Sequence, residues 1–340
     1  MPPIVHVSAR RLDLRHYGIQ VPLWASRPEQ VYDYLQQVFG AGEGAGWLQE
    51  ITQNSLTRED LLRVHTPSYV QTLLSTHPHP AIEAAYELYD AQGRPHRYDP
   101  DSAILPLSDI VARSMLEASG TWHTAEVALE EGFGYFLGGG MHHAMAHAGR
   151  GFCLIHDVVI AARKLQAEQR VSHSWVIDTD CHKGDGTAHL AIGDPHLSTL
   201  SIHMAHGWPL DEPPTDESGH LKPPFFPSTV DIPIPAGGEA SYLPWLEHGL
   251  WQLAQLSPRA DVAFVVAGSD PFMGDVLPSA SHIKLSLDQM LRRDLLVYSF
   301  LEQRGIPQVW VMAGGYGPEV WRVHAQTAEN LLRRRGWQGI

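Results

Sequence analysis

Two aspartates and a histidine alternate along one short stretch. They are Asp178, Asp180 and His182, within Ser174-Trp175-Val176-Ile177-Asp178-Thr179-Asp180-Cys181-His182-Lys183-Gly184-Asp185-Gly186. An extended backbone points every second side chain to the same side, so all three would face one way. Two carboxylates and an imidazole make an oxygen–nitrogen donor set suited to a divalent metal. The same residues also suit a strand running into a polar turn, since Gly-Asp and Asp-Gly pairs are common turn chemistry. The apolar run Trp175-Val176-Ile177 in front of them reads as a buried strand. In an open parallel sheet, ligands bind beyond the carboxyl ends of such strands.

Three other apolar runs end in chemistry that could join this one. Tyr135-Phe136-Leu137 leads into Gly138-Gly139-Gly140-Met141-His142-His143, where the glycines permit close backbone approach beside two imidazoles. The plain alternative is a pair of exposed loop histidines. The run at 262–267 ends in Gly268-Ser269-Asp270-Pro271-Phe272-Met273-Gly274-Asp275, whose Asp270 serves equally as a turn or cap residue. The run at 308–312 ends in Ala313-Gly314-Gly315-Tyr316-Gly317, a tyrosine either presented by a glycine loop or packed after a turn. Each is ambiguous alone, but four strand ends carry compatible groups.

Positioning those ends requires strands separated by helices. Apolar runs at 3–7, 135–137, 175–177, 197–203, 262–267 and 308–312 read as strands. Helices are expected at 27–39, with Pro28 in its favoured first turn, and at 61–64 behind the capping pattern Thr57-x-x-Asp60. Another turn follows Thr66-Pro67, and a short helix lies around 81–88. Longer ones are expected at 108–131, ended by Gly132, at 155–168, at 239–256, at 286–304 behind Ser286-x-x-Gln289, and to about 335. Strands alternating with helices predict right-handed βαβ units and a parallel sheet covered on both faces. The stretches 40–46, 77–105 and 207–235 read as irregular, and 77–105 could form a site mouth. No linker interrupts the pattern, so residues 1–340 read as one α/β domain.

The 340 residues, 44% hydrophobic and 18% charged, suffice for a sizeable core. Met1 to Leu12 holds Arg10 and Arg11 but no apolar segment of a secretory signal. No apolar stretch approaches a membrane span. Two cysteines, Cys153 and Cys181, are too few for a disulfide scaffold, so a cytoplasmic protein without membrane contact is expected. The formal net charge of −14 argues against nucleic acid and suits a cationic substrate. Of the 21 histidines, most, such as His77, His79 and His96, lie in polar sequence and read as solvated.

Taken together, G-G-G-M-H-H, Gly151-Phe152-Cys153 with Asp157, D-T-D-C-H-K-G-D-G, G-S-D-P-F-M-G-D and G-G-Y resemble the zinc-dependent histone deacetylase family. That family includes bacterial deacetylase-like amidohydrolases and acetylpolyamine amidohydrolases. The resemblance runs over roughly residues 65–332, and Gly138-Gly139-Gly140 with Met273-Gly274-Asp275 leans towards bacterial and class IV members. It implies the arginase/deacetylase fold with an eight-stranded parallel sheet flanked by helices, and zinc-dependent hydrolysis of N-acyl amides.

The resemblance also assigns residues. Asp180, His182 and Asp270 would ligate zinc, leaving an open position for water and substrate carbonyl. With two carboxylate ligands the zinc should acidify its water less than a three-histidine site, which calls for a helper base. His143 would be that base and later the acid, with His142 as electrostatic partner, and Asp185 and Asp178 behind His143 and His142. Tyr316 would be the oxyanion donor. Phe152, Gly151 and Gly314 would line a tunnel for the acyl-lysine stem, while Trp208 either forms its other wall or packs a loop. A structural potassium is implied at Asp178, Asp180, His182, Ser201 and Ile202, and Arg27 matches an arginine that attends the acetate product. Lys183 stands where many members carry a second histidine and should point away from the ligands. His156 replaces a common asparagine. The expected substrate is an acylated lysine or other acylated amine, with acetylpolyamine hydrolysis as the alternative. A two-manganese ureohydrolase suits the tandem histidines and GGY less well. A non-catalytic binding protein would have lost the base, a ligand or the tyrosine, and none is lost.

Overall fold

The computed structural model describes residues 1–7, 13–22, 26–40, 46–211 and 213–339. Arg10, Arg11 and residues 41–45 of the glycine-rich stretch lie outside them. Among the described residues, eight strands form one sheet: β1 (Ile4–His6), β2 (Leu48–Glu50), β3 (Phe133–Phe136), β4 (Ser174–Asp178), β5 (Leu197–Met204), β6 (Val230–Ile234), β7 (Val262–Val266) and β8 (Gln308–Val311). The order is β2-β1-β3-β8-β7-β4-β5-β6, and every pairing is parallel. The strand ends singled out above therefore belong to four adjacent strands, β3, β8, β7 and β4.

Ten helices flank the sheet among the described residues. They are α1 (Arg27–Phe39), α2 (Arg58–Leu62), α3 (Pro67–Leu73), α4 (His79–Tyr86), α5 (Ile110–Glu131), α6 (Asp157–Ala167), α7 (Asp185–Ala191), α8 (Glu239–Leu256), α9 (Leu287–Glu302) and α10 (Trp321–Arg334). The strands are apolar on both faces because both are covered. Val176, Phe264, Val266, Val309 and Val311 pack against α5 and α6. Trp175, Ile177, Ala263, Val265 and Trp310 point the other way, against α1 and α8 to α10. Thr57 and Ser286 both close capping boxes, and Gly132 ends α5 in a left-handed conformation at φ 80°.

One expectation is corrected. Residues 207–235 are not irregular throughout, because β6 pairs in register with β5 from Val230 to Ile234. Its burial alternates, with Asp231 and Pro233 facing solvent. A proline is tolerated there because β6 is an edge strand. The other edge, β2, is three residues long and was equally invisible as a hydrophobic run.

Candidate active site

Adjacency of β4 and β7 brings their acidic ends together. His182 Nδ1 lies 3.2 Å from Asp180 Oδ1 and 3.0 Å from Asp270 Oδ2. The cation-binding atoms of Asp180, Cys181, His182 and Asp270 all lie within 4.8 Å of one another. Cys181 Sγ also lies 3.2 Å from His182 Nδ1, but burial and the Asp270 and Asp180 charges raise its thiol well above the usual range, so two carboxylates and an imidazole are the ready donor set. Their surroundings are shaped by glycine: a Cβ at Gly268 would collide with Asp180, and one at Gly314 would sit 2.5 Å from Asp180 Oδ2. Gly314 N–H donates to that same oxygen at 3.0 Å. Burial and the Asp180 charge raise the Asp270 carboxyl, whereas the nearby imidazoles carry Asp180 well below its usual range despite burial. Buried carboxylates this close call for a cation, and the oxygen–nitrogen set fits zinc.

Beyond β3, the glycine-histidine loop is held by Asp157, which accepts from Gly140 N–H at 2.8 Å and Met141 N–H at 2.7 Å. His156, whose role was open, caps α6 by accepting from Val159 N–H and sits 3.0 Å from Thr187 Oγ1. His142 Nδ1 pairs with Asp178 Oδ2 at 2.7 Å, and His143 Nδ1 with Asp185 Oδ1 at 2.6 Å. Burial works against charge on His142, but Asp178 and Asp180 outweigh it and push the ring up to about 9. Burial and the His142 charge take His143 down to about 4 against the pull of Asp185. Gly184 is obligatory behind this pair, because a Cβ there would overlap Asp178.

Tyr316 is anchored by its backbone N–H, which donates to Asp275 Oδ2 at 2.6 Å. Burial, then the Asp180 and Asp270 carboxylates, raises its phenol well above the usual value, so the hydroxyl stays a donor. Its ring lies 6.4 Å from that of Phe152. Trp208 packs edge-on to His143 at 4.6 Å and to His182 at 5.7 Å, so it forms a wall and is not a distant loop residue. Phe152, Trp208, Leu277 and Tyr316 line a cavity of about 210 Å³ that reaches His143 and His182. Gly151 belongs to that wall, since a Cβ would strike Trp208 at 2.5 Å. Gly314 lines an adjoining space of about 70 Å³ that shares His143, Phe152 and Tyr316 with this cavity and adds Arg27, Met141 and Cys153. Arg27 donates to the carbonyls of Ala313 at 2.7 Å and Gly314 at 2.8 Å.

The residues named for potassium cluster where Asp178 and Ser201 face each other across β4 and β5, with Ile202 next in the strand. Lys183 does turn from the acidic cluster and donates to Asp231 Oδ1 at 2.5 Å. One buried residue carried no signal in the sequence. Arg293, in α9, donates from Nη1 to Thr179 O at 3.1 Å and to Gly268 O at 2.7 Å. Its Nε donates to Asp294 Oδ1 at 2.8 Å, and Asp294 accepts in turn from Thr327 of α10. It thus ties together the two backbone segments that present Asp180 and Asp270.

The sequence model of the histone deacetylase domain matches residues 22–332. The chain belongs to the histone deacetylase family. Among relatives of this deacetylase-family chain, an uncharacterized protein of Picosynechococcus is 32% identical over 62% of the chain and 65% of its own length. A probable deacetylase of Methanothermobacter thermautotrophicus is 30% identical over 83% of the chain and 76% of its own length. Histone deacetylase 2 of Arabidopsis thaliana is 26% identical over 85% and 70%. The chain thus spans just under two thirds of the Picosynechococcus protein and more of the other two. The fold matches a crystal structure of an HDAC homolog from Aquifex aeolicus with a TM-score of 0.69 at 21% identity, over 95% of the chain and 82% of that one. An acetylpolyamine aminohydrolase from Burkholderia pseudomallei gives 0.69 at 20% identity, over 97% and 98%. These likenesses establish the deacetylase fold. Among the described residues no helix is long and apolar enough to cross a membrane.

Proposed function

We propose that this histone deacetylase family member is a zinc-dependent amidohydrolase that removes acyl groups from lysine side chains, acting as one domain over residues 1–340. The observation that carries the reading is the meeting of Asp180, His182 and Asp270 with the His142–His143 pair at the floor of an aromatic-walled cavity. Asp180, His182 and Asp270 would hold the zinc, which when bound supplies an electrophile and lowers the pKa of water. The chain supplies the rest. Asp185 accepts the Nδ1 hydrogen of His143, which leaves Nε2 of the neutral ring as the base. His143 takes a proton from the attacking water and returns it to the leaving amine. The Tyr316 hydroxyl donates to the carbonyl oxygen as negative charge develops there. Phe152 and Trp208 exclude water from the methylene stem, and Arg27 receives the carboxylate product. Potassium would sit between β4 and β5 at Asp178, Ser201 and Ile202, with the backbone of Asp180 and His182. Two free, buried cysteines fit a reducing cytoplasm.

A second reading, acetylpolyamine hydrolysis, is favoured by Glu87, an acid that lines the same cavity. Chelator-stripped protein reconstituted with zinc and assayed on acetyl-, trifluoroacetyl-, crotonyl- and myristoyl-lysine peptides beside acetylputrescine tests both. Activity that returns with one zinc per chain is expected, fastest on a lysine substrate. Zinc-loaded protein inert on the whole panel, or two manganese ions per active chain, overturns the proposal.

A further inference from the structure

The cavity that ends at His143, His182 and Tyr316 has apolar walls, yet Glu87 and Arg97 also line it. Arg97 Nε donates to Glu87 Oε2 at 3.2 Å, and its guanidinium carbon stacks 5.1 Å from the centroid of the Phe152 ring. Those two contacts orient the guanidinium. Glu87 engages Nε, so the terminal Nη1–Nη2 edge is the one available to grip a carboxylate with two parallel hydrogen bonds. Glu87 ends α4 as its left-handed C-cap at φ 54°, which fixes where its side chain leaves the helix.

The pair adds little to the fold. The side chains are 26% and 42% exposed, and ion pairs so open to water contribute little to stability. A ligand that meets each charge with its opposite can therefore replace the pair with little loss. On the opposite wall the Arg150 guanidinium stacks 5.1 Å over Trp208, its charge already met by Asp185 at 3.5 Å. A bare polyamine would satisfy Glu87 but run against Arg97. A peptide-linked acyl-lysine carries neither a carboxylate nor an ammonium on its α-carbon.

We infer that the Glu87–Arg97 pair reads the zwitterionic head of a free Nε-acyl amino acid, Arg97 taking the α-carboxylate and Glu87 the α-ammonium, while the acyl-lysine side chain fills the aromatic tunnel. This rests on the amide hydrolysis proposed above and narrows its substrate to small acyl-amino acids.

Steady-state kinetics of the zinc-loaded full chain test it with Nε-acetyl-lysine, its C-terminal amide, its Nα-acetyl derivative, the doubly capped form and acetylated 1,5-diaminopentane. Free acetyl-lysine is expected to exceed the doubly capped form in kcat/KM by about tenfold or more, as two charge-assisted contacts imply. Arg97→Gln should bring the ratio of free acid to amide to about one, and Arg97→Lys should restore part of it. Glu87→Gln should abolish the ratio of free amine to Nα-acetyl form instead. Melting curves check that these variants at open positions stay folded. Equal kcat/KM across the set, preference for the capped form or the diamine, or ratios that neither variant moves would overturn the inference while leaving the hydrolase standing. Absence of turnover on every substrate would overturn both.

Discussion

His142 and His143 are neighbours in the chain, both buried, each with Nδ1 on a buried aspartate at nearly the same distance, 2.7 and 2.6 Å. They nevertheless titrate in opposite directions, to about 9 and about 4. Burial lowers both, so the difference comes from the next neighbours. The far nitrogen of His142 has a second carboxylate, Asp180, at 3.8 Å. His143 has the charge of His142 beside it and that of His182 beyond. Its aspartate is shared with Arg150 at 3.5 Å. Like residues with like partners are thus given unlike roles: a charged ring behind and a neutral one facing the tunnel.

Four experiments would break or sharpen this division. The largest effect should come from His143→Ala, which should lower kcat/KM by about 10²–10⁴ with the fold retained by circular dichroism. His142→Ala should cost distinctly less, and equal losses would dissolve the distinction. Tyr316→Phe should lower turnover by about 10²–10³ without changing the pH profile, since it removes an oxyanion donor and no proton carrier. A shifted profile would move the phenol into the proton path. Asp185→Asn should reduce activity by about 10–100-fold through the tautomer of His143, more than Asp178→Asn does; the reverse order would make His142 the base.

The smallest effect is on stability of the chelator-stripped chain, followed by urea unfolding against pH. The folded value of His142 lies above the ordinary 6.5, so its contribution is complete below about 6.5 and is lost as pH rises through about 9. The folded value of His143 lies below 6.5, so the unfolded chain takes up that proton first, and stability is lost as pH falls from about 6.5 towards 4. His142→Gln should flatten the alkaline slope and His143→Gln the acidic one. Exchanged slopes would reverse the comparison.

What could be read from the sequence follows a physical line. Strands covered on both faces are continuous apolar runs, so β3, β4, β5, β7 and β8 stood out, and their polar ends marked the cluster. The edge strands β2 and β6 did not, because short or half-exposed strands carry polar residues and, in β6, Pro233. The count of eight strands came from the family resemblance and not from these runs. Within the site, residues sharing a motif were legible, and Glu87 and Arg97 fall in the 77–105 stretch read as a site mouth, whereas Arg293 reaches the site from a helix with no local mark of chemistry.

Arg293 has a consequence for the life of the protein between encounters with metal. Its guanidinium grips the carbonyls of Thr179 and Gly268, and the counterweight Asp294 is fastened to Thr327 on the following helix. This positive charge is covalently rooted in α9, so no chelator or competing ion can carry it off. The two acid-bearing loops are therefore held at their spacing by the polypeptide itself. If the proposed zinc is lost, these contacts would keep the two carboxylates at their spacing, so metal would need only to be captured, without refolding.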